Sequence, residues 1–399
     1  MAYGCLSSQN LWAQQENLSL QDAISFALAH RPELRASADW VRAAEKDRDQ
    51  AGLIPNPHFI FRKEDLRPEH FNFGEDSQSY WEGQQLVETS GRRGGRIAVA
   101  QQGIVRSRLQ ADLERRQIIL SVRESYWHAK AMQALAALYT QDAGYFQQVI
   151  DYHQARFREG KVAEIDLLRI KLEGEQIRAG AANAKLAFER ALLTLDQEMN
   201  ANGNTAWVLS ENMETLEMPR AIPVDADPAR LRVEGQIAEQ AIAQAGAAVK
   251  LQKANGRPDL LFTGGYKRDV DMDSPVAGIQ FELPFFNRNQ GAVKAAQAQI
   301  DAAREMNEAT RNRLLAELSI AQREYNMRRD QYVNIFKPLF DQAVEISDIS
   351  RAAYQAGGLD LLRFLDAERA RVDAQLSYVR ALEGFHQSVA SLDYAEGAD

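Results

Sequence analysis

The sequence has little of what disulfide-rich, nucleic-acid-binding and helical membrane proteins need. Its 399 residues include one cysteine, Cys5, so no intramolecular disulfide can form. The net charge of −9 and the pI near 5.4 argue against a nucleic-acid surface, which requires an excess of Lys and Arg. No segment approaches the roughly 18 consecutive apolar residues of a membrane-spanning helix. The sequence therefore predicts no disulfide, no nucleic-acid partner and no transmembrane helix.

Motifs for catalysis, cofactors and metals are also scarce. The six histidines show no ligand spacing, and His153 falls on an apolar helical stripe, where a packing role is expected. No glycine-rich phosphate-binding loop is present. Asp269–Asp273 begins like a calcium loop, but Ser274 occupies the glycine position and Gln280 replaces the bidentate glutamate. The sequence therefore predicts a protein that is not an enzyme and has no cofactor or metal site.

What the sequence does contain is a short strand that leads directly into a very long helix, at Gly278–Gly291. Apolar and polar side chains alternate in the order Ile279, Gln280, Phe281, Glu282 and Leu283. Because successive side chains of a strand point to opposite faces, one face is predicted to be apolar and the other polar. Pro284 is expected to end the strand, since proline cannot donate to the hydrogen-bonded ladder.

The same succession of strand, turn and helix occurs earlier in the chain. Gly83–Arg96 predicts a strand, a turn rich in Gly and Arg, and the start of a long helix. Gly291 lies 196 positions after Gly95, and the tetrapeptide Asp360–Arg363 repeats Asp166–Arg169 at an offset of 194. Since the two offsets nearly agree, we infer one duplicated unit that occupies almost half of the chain.

The predicted elements follow the same order in both repeats. Repeat 1 covers 18–199, with two short helices, the first capped at Ser19, strands at 57–62 and 79–88, and a helical hairpin at 97–199. A connector at 200–228 leads to repeat 2 at 229–393, with a helix, strands at 258–267 and 276–283, and a helical hairpin at 292–393. Pro338 is expected to kink the second hairpin, and 394–399 form a C-terminal tail.

Residues 1–17 are predicted to be a signal remnant or a disordered N-terminus. Cys5 faintly resembles the lipidated cysteine of a lipoprotein, although few residues precede it. Leu11-Trp12-Ala13 resembles a small-residue cleavage site. Lipidation of Cys5, cleavage after Ala13 and an unprocessed start are the three alternatives.

The strands point to a membrane. Each repeat is predicted to supply two strands of about nine or ten residues, a length that crosses a bilayer when tilted. A soluble sheet packed on helices is the alternative, but long amphipathic helices do not suit a compact core. Four strands cannot close a barrel and open edges are not tolerated in lipid, so copies must associate. Two copies would give eight strands and a filled interior, whereas three would give twelve and leave room for passage.

Three stretches of the sequence resemble a known family. Leu18–Ile24 followed by Arg31–Leu34 is similar to the start of TolC-type outer-membrane efflux proteins. Glu282–Gly291 resembles that family's second junction of strand and helix. Glu88–Arg93 resembles the Gly-Lys-Arg junction of the cobalt–zinc–cadmium, or heavy-metal, branch, with arginine in place of lysine. The resemblance covers the whole chain, including its duplication.

The resemblance implies a mixed α/β membrane protein, a homotrimer whose twelve-strand barrel in the outer membrane continues into a periplasmic tunnel of long helices. It also implies a passive exit duct that contacts outer-membrane lipid and docks to a periplasmic adaptor and a proton-driven inner-membrane pump, with heavy-metal cations as the exported substrate. Two rival interpretations stay open. One is a periplasmic coiled-coil scaffold or adaptor without a pore, and the other is a type I protein-secretion channel of the same fold.

Two groups of site residues are predicted near the membrane. The apolar face of the last strand, Ile279, Phe281 and Leu283, is expected to face lipid, and the polar face, Gln280 and Glu282, is expected to face the lumen. Three arginines, Arg92, Arg93 and Arg96, are expected at the periplasmic rim, where long cationic side chains reach headgroups or the following helix. A solvated turn is the alternative for these arginines.

A third group is predicted at the hairpin tips. The tip glycines are Gly160, Gly357 and Gly358, and the gate residues beside them are Asp166, Arg169, Asp360 and Arg363. In the family, acidic residues after the second tip line a constriction, so the resemblance places three copies of Asp360 there, favouring cations. Arg363 stands where the family has a further acidic residue, and it is expected to pair with a neighbouring hairpin. A helix cap alone is the alternative role for Asp360.

Overall fold

The structure is a computed structural model in which residues 15–65, 77–202, 206–216, 218–219, 227–269 and 272–398 are described. The predictions made for Cys5 and Ala13 lie outside the described residues, as does part of the Asp269–Asp273 stretch.

The order of elements in the described residues repeats once along the chain. The strands are β1 Gln15–Leu18, β2 His58–Glu64, β3 Gln78–Val87, β4 Ala206–Leu209, β5 Leu260–Arg268 and β6 Asp273–Phe281. The helices are α1 Leu20–His30, α2 Pro32–Ala51, α3 Arg92–Arg158, α4 Glu164–Met199, α5 Pro228–Leu231, α6 Val233–Asn255, α7 Gln290–Gln331, α8 Lys337–Gln355 and α9 Leu361–Glu396. A helix, a strand pair and a long helical hairpin thus occur twice.

The chain divides into two compact units. Unit 1 contains the chain up to Leu34, Glu114–Arg232 and the chain from Leu314 onward, and unit 2 contains Arg35–Leu113 and Val233–Arg313. A four-stranded sheet lies in unit 2. A two-stranded sheet and the ends of both helical hairpins lie in unit 1.

The sheet of unit 2 has the order β2-β3-β5-β6 and is antiparallel throughout. Each repeat supplies one neighbouring strand pair, and β2 and β6 form the two edges. The register places Phe61 opposite Trp81, Trp81 opposite Tyr266, and Tyr266 opposite Pro275. One row of residues therefore crosses all four strands, and both repeats contribute to it.

The last strand ends earlier than predicted, at Phe281 instead of Leu283. Phe281 lies opposite Leu260, the first residue of β5. The residue before it, Asp259, precedes β5, and its carboxylate accepts a hydrogen bond from the Ser90 N–H at 2.9 Å. Glu282 and Leu283 therefore follow the last residue pair of the ladder. The lumen side predicted for Glu282 and the lipid side predicted for Leu283 stay predictions.

The first long helix begins earlier than predicted, at Arg92 instead of residue 97. The glycines in this stretch suggested a turn, but Gly95 is helical. A Cβ atom on Gly95 would lie 3.0 Å from the Leu251 Cα, so the absence of a side chain lets α3 approach α6 closely.

The sequence prediction missed the small parallel sheet of unit 1, in which β1 pairs with β4. The sequence predicts residues 15–17 as part of the N-terminal tail and 206–209 as part of the connector. Both strands have only four residues and are separated by almost half of the chain, so neither a periodic pattern nor a hairpin turn marks them. Leu18 and Leu209 are buried at their ends, and the Tyr126 hydroxyl donates to the Leu18 carbonyl over 2.9 Å.

One local prediction is confirmed. Ser19 caps α1, since its hydroxyl accepts a hydrogen bond from the Asp22 N–H at 3.1 Å. Just before Pro338, where a kink is predicted, the structure has a π-helical turn at Tyr332–Phe336, closed by a bond from the Lys337 N–H to the Tyr332 carbonyl. Proline lacks an N–H and its ring crowds the preceding turn, which explains the wider turn just before it.

Candidate functional site

The four-stranded sheet presents one largely apolar face. The aromatic rings of Phe61, Trp81 and Tyr266 follow one another across it, with ring centroids 5.6 and 6.1 Å apart. Ile279 lies opposite Phe262, and Phe281 lies opposite Leu260, so both predicted lipid-facing residues of β6 share this face. Ile279 is 62 % exposed and Phe281 is 54 % exposed. Among the described residues of one copy, nothing covers this face.

The opposite face carries charged and polar side chains. The Arg62 guanidinium lies 4.6 Å from the Tyr80 ring centroid and 3.9 Å from the Glu82 carboxylate. Lys267 approaches the same ring from the next strand, at 5.5 Å. Gln280 belongs to this face, opposite Leu261. Gln280 therefore shares a face with the polar residues, whereas Glu282 follows the end of the strand and is exposed.

The three arginines of the first junction contact the ends of two other helices. The Arg92 guanidinium donates to the Asn255 carbonyl at 3.0 Å, at the end of α6, and pairs with Asp259 at 3.2 Å. Arg93 donates to the Gly52 carbonyl at 2.6 Å, just after α2. Arg96 pairs with Glu88 and donates to the Leu53 carbonyl at 3.2 Å. Cations at helix C-termini stabilise the exposed carbonyls there, so these arginines fix the junction itself.

Each of these side chains binds a backbone carbonyl of unit 2, so the arginines are not incidental in a solvated turn. Their position relative to a membrane rim stays a prediction.

The two hairpin tips use glycine in the same way. Gly160 has φ +71° and Gly357 has φ +77°, a left-handed conformation that favours residues without a Cβ. After Gly160, the Lys161 N–H bonds the Arg156 carbonyl at 3.0 Å. After Gly357, the Gly358 N–H bonds the Ala353 carbonyl at 2.9 Å. Both tips are therefore closed by the hydrogen bond typical of a Schellman motif.

The repeated Asp-Leu-Leu-Arg motif is not used equally at the two tips. Asp360 caps α9, because its carboxylate accepts from the Arg363 N–H at 3.0 Å, and the Arg363 side chain pairs with the same carboxylate at 3.3 Å. At the first tip the N-cap is Ala163, and Asp166 lies inside the first turn without a capping bond. Arg169 is exposed and forms no ion pair within the described residues. Within one copy, Arg363 pairs inside its own helix.

A buried charged cluster near the second tip was missed by the sequence analysis. Arg371 binds Asp142 at 2.6 Å and Glu368 at 3.3 Å. Glu368 is 1 % exposed and also accepts from Arg351 at 2.7 Å and from Ser347 at 2.8 Å. Burial would raise the pKa of the Glu368 carboxyl, but the bonds from Arg351 and Ser347 outweigh it, so its pKa is lowered. The cluster joins α3, α8 and α9.

His153 joins the two hairpins closer to the tips, as a packing residue. Its Nδ1–H donates to the Val149 carbonyl at 2.8 Å, which leaves Nε2 to accept from the Tyr354 hydroxyl. The Tyr354 ring stacks on Phe364 at 4.7 Å. Burial lowers the pKa of His153. A cleft of about 330 Å³ lies beside this contact and is lined by Tyr145, Gln148, Tyr152 and Arg351, among others.

No group of three or more His, Cys, Asp and Glu within the described residues is placed to hold a metal ion. Among the helices of the described ranges, none is long and apolar enough to cross a membrane.

Comparisons with known proteins agree with the repeated architecture. A family model described as outer membrane efflux protein matches residues 23–201 and 236–398. The cobalt-zinc-cadmium resistance protein CzcC of Cupriavidus metallidurans is 26% identical over 390 residues, which cover 94% of this chain and 89% of CzcC. A crystal structure of CusC has a TM-score of 0.79 at 16% identity, covering 98% of this chain and 95% of CusC. The Campylobacter jejuni CmeC outer membrane channel has a TM-score of 0.79 at 17% identity, with coverage of 95% and 85%.

These matches confirm the resemblance predicted from the sequence, and the similarity to CzcC agrees with the heavy-metal branch suggested by Glu88–Arg93. The two matched stretches correspond to the two repeats. They also confirm the predicted outer-membrane location, and the relatives are efflux proteins and not enzymes. The chain belongs to the outer membrane efflux protein family.

Proposed function

We propose that this protein is the exit duct of a tripartite efflux system and carries its substrate passively from the periplasm to the exterior. Three copies would supply four strands each to a twelve-strand barrel, and their helical hairpins would form a periplasmic tunnel. The observation that carries the proposal is a four-stranded sheet with one exposed apolar face, one polar face and two free edges.

The free edges support association of copies. In the described sheet β2 pairs with β3 alone and β6 pairs with β5 alone, so each edge strand leaves one row of backbone N–H and C=O groups unpaired. In lipid every backbone polar group must be satisfied, and only a closed ring of strands removes both edges. Pairing β2 of one copy with β6 of the next satisfies them.

The chemistry of the two faces supports the proposed orientation of the sheet, with one face toward lipid and the other toward the lumen. Ile279, Phe281 and the Phe61 row would face lipid, while Gln280, Arg62 and Glu82 would face a water-filled lumen. Aromatic side chains such as Trp81 and Tyr266 are favoured where lipid chains meet headgroups. Leu283 and Glu282 follow the strand and would lie below it, beside the junction that Arg92, Arg93 and Arg96 hold at the periplasmic rim.

The proposed substrate and partners are inferred from the similarity to known efflux proteins. The name of CzcC refers to cobalt, zinc and cadmium resistance, and we extend this cargo class to the present chain. A periplasmic adaptor and a proton-driven inner-membrane pump would supply the substrate at the tips. Asp360 of three copies, with Asp166 nearby on each first hairpin, would form a negative constriction there. A duct needs no metal site of its own, since it conducts the cation without retaining it.

Labelling of single cysteines in the outer membrane of intact cells tests this function. In a Cys5→Ser background, Gln280→Cys is expected to react with a water-soluble maleimide, and Ile279→Cys only with a lipid-soluble one. Phe281→Arg is expected to cost about 2–4 kcal/mol if the site lies near the midplane and to reduce membrane assembly, while Gln280→Arg serves as the matched control. Equal labelling of positions 279 and 280 by the water-soluble reagent would instead support a periplasmic scaffold without a pore.

A further inference from the structure

A cavity of about 430 Å³ lies in unit 2, at the end of the sheet where the strands give way to helices. One wall is formed by residues 255–258, where α6 leads to β5, and the other by residues 282–287, between β6 and α7. Both walls connect a strand of the sheet to a helix. The cavity therefore lies at the junction that the proposed function places at the periplasmic rim of the membrane.

The two walls are fixed to each other by close backbone contacts. A Cβ atom on Gly256 would collide with the Arg288 carbonyl oxygen, so the missing side chain lets the walls approach closely. The Asn289 side-chain amide donates a hydrogen bond to the Gln252 carbonyl over 2.8 Å, which ties the start of α7 to the end of α6. The cavity is therefore preformed within this unit.

The cavity contains one cation and one anion without a charged partner. Arg257 lies on the first wall and Glu282 on the second, and both are exposed. Within the described residues, neither side chain forms an ion pair or a hydrogen bond. Arg92 also lines the cavity, but its guanidinium already binds the Asn255 and Arg257 carbonyls and pairs with Asp259. The charges available to a ligand are therefore those of Arg257 and Glu282.

Large apolar side chains lie beside these two charges. Leu283 and Phe286 line the cavity and are 61% and 93% exposed. Phe285, next to them in the chain, is 66% exposed. A contiguous group of exposed large apolar side chains marks an interaction site, whereas single ones do not. The cavity therefore fits an amphipathic ligand, with a charged part between the walls and an apolar part against Leu283 and Phe286.

The two charges select the headgroup of this ligand. A guanidinium binds phosphate oxygens through charge-assisted hydrogen bonds. A carboxylate accepts hydrogen bonds from a primary ammonium, which has three N–H donors. A purely anionic headgroup would pair with Arg257 and be repelled by Glu282, and a choline headgroup has no N–H to donate. A headgroup that carries both a phosphate and a primary ammonium satisfies both residues.

We propose that this cavity binds phosphatidylethanolamine, with the lipid phosphate at Arg257, the ammonium at Glu282 and the acyl chains against Leu283 and Phe286. The site goes beyond the proposed duct and rests on the rim position that the proposed function gives to this junction. It places Glu282 among lipid headgroups instead of in the lumen. Glu282 follows the last residue pair of the ladder, so the alternation of β6 no longer decides its side.

Native mass spectrometry of the purified full-length protein tests the site. After co-purified lipid is removed, the protein in detergent receives equal amounts of phosphatidylethanolamine, phosphatidylglycerol or phosphatidylcholine with identical acyl chains. We expect one bound phosphatidylethanolamine for each copy of the chain and several-fold lower retention of the other two lipids. Equal retention of all three lipids would overturn the site, because it would show adhesion of acyl chains alone.

Substitution of the two charges gives a second readout. Arg257→Gln should lower the retention of phosphatidylethanolamine several-fold. Glu282→Gln should abolish the preference over phosphatidylglycerol, because the repulsion of an anionic headgroup is lost. Lys294→Gln and Glu305→Gln are the matched controls, since both residues are exposed charges of α7 outside the cavity, and they should leave the preference unchanged. A preference that survives either substitution in the cavity would overturn the proposed headgroup contacts.

A third substitution tests the apolar part of the site. Phe286→Ser should weaken the retention of phosphatidylethanolamine and leave its preference over phosphatidylglycerol unchanged, and unchanged retention would overturn the apolar contact. Helical circular dichroism verifies that each variant is folded.

The mass of the protein separates this site from the proposed duct. A trimer that conducts ions but retains the three lipids without preference overturns the headgroup site and leaves the duct intact. Selective retention of phosphatidylethanolamine by single chains supports the headgroup site and overturns the trimer.

Discussion

Arg371 on α9 donates a hydrogen bond to Asp142 on α3 over 2.6 Å, and both side chains are almost fully buried. The same guanidinium pairs with Glu368, which Arg351 also binds, so two arginines pair with two buried carboxylates. A buried charge is tolerated when it is paired and hydrogen-bonded, and it is costly when its partner is removed. The packing of the first hairpin against the second therefore depends on Arg371.

Arg371→Ala is expected to destabilise the protein by about 3–5 kcal/mol, because it leaves the Asp142 carboxylate buried without a counter-charge, while Glu368 keeps its pair with Arg351. Thermal or urea unfolding in detergent, followed by helical circular dichroism, measures the change. Arg380→Ala is the matched control, since Arg380 lies on the same helix and is exposed. The free energy of unfolding of Arg380→Ala is expected to stay within about 0.5 kcal/mol of that of the unsubstituted protein. If both variants lost the same amount of stability, the role of the buried cluster would be contradicted.

Two adjacent glycines at the start of α3 are expected to respond in opposite directions to alanine. Gly94 has no atom within 4 Å of the position of a Cβ, so Gly94→Ala should stabilise the helix by up to about 1 kcal/mol. At Gly95 a Cβ would meet the Leu251 main chain at 3.0 Å, so Gly95→Ala should lower the unfolding midpoint. If both variants gained stability, the close approach of α3 and α6 would be disproved.

His386 is expected to make the protein less stable in mild acid. It stacks on Trp127 at 3.7 Å, its Nε2–H donates to the Met213 carbonyl at 2.8 Å, and burial lowers its pKa below the ordinary 6.5, with Arg123 adding to the effect. The unfolded chain takes up a proton as the pH falls through about 6.5, before the folded chain does, so stability is full above that pH and falls below it. His386→Phe should flatten this acid slope of the unfolding free energy.

His128 provides the control of opposite sign. Its Nδ1 lies 2.7 Å from the Glu383 carboxylate, and this hydrogen bond raises the pKa of the imidazole. The resulting stabilisation is present below about pH 6.5 and is lost as the pH rises through the higher folded value. His128→Gln should therefore change the pH dependence of the unfolding free energy above pH 6.5 and leave it unchanged in mild acid. Identical slopes for His386→Phe and the unsubstituted protein would contradict the assignment to His386.

The sequence predicts the parts of this fold that local chemistry specifies. The alternation at Ile279–Phe281 predicts the two faces of β6, Ser19 predicts its helix cap, and the repeated junctions predict the duplication. Longer-range contacts decide the rest. Gly95 suggests a turn from its own chemistry, yet it is helical and lies close to Leu251 of α6. The strand β6 ends at Phe281, opposite the first residue of β5, and the alternation of side chains does not mark this end.

The buried cluster shows the same limit on the helical hairpins. In the sequence, Glu368 and Arg371 are spaced like an exposed ion pair on one helix. Only the packing of α3 brings Asp142 to Arg371 and buries all three. The Asp-Leu-Leu-Arg repeat likewise suggests two equivalent caps, but Asp360 caps a helix and Asp166 does not, since Ala163 precedes α4 as its N-cap.

Two substitutions distinguish the electrostatic role of the Asp360 carboxylate from its role as the N-cap of α9. Asp360→Ser keeps a side-chain oxygen that can cap α9 and removes the carboxylate, whereas Asp360→Ala removes both, at a cost of about 1 kcal/mol in stability. If three carboxylates form the constriction, both variants should show higher conductance and weaker cation selectivity at low salt. Conductance and selectivity of Asp360→Ser equal to those of the unsubstituted protein would leave Asp360 as a helix cap alone.

Copies of this chain are proposed to form a continuous water-filled duct across a membrane. Single-channel recording of the purified protein in planar lipid bilayers tests this conduction without an intermediate step. We expect discrete conductance steps that favour cations over anions, and the same steps after selection of the trimeric fraction. A correctly folded trimer that inserts into the bilayer and conducts no ions, with or without Asp360→Ser, would contradict it.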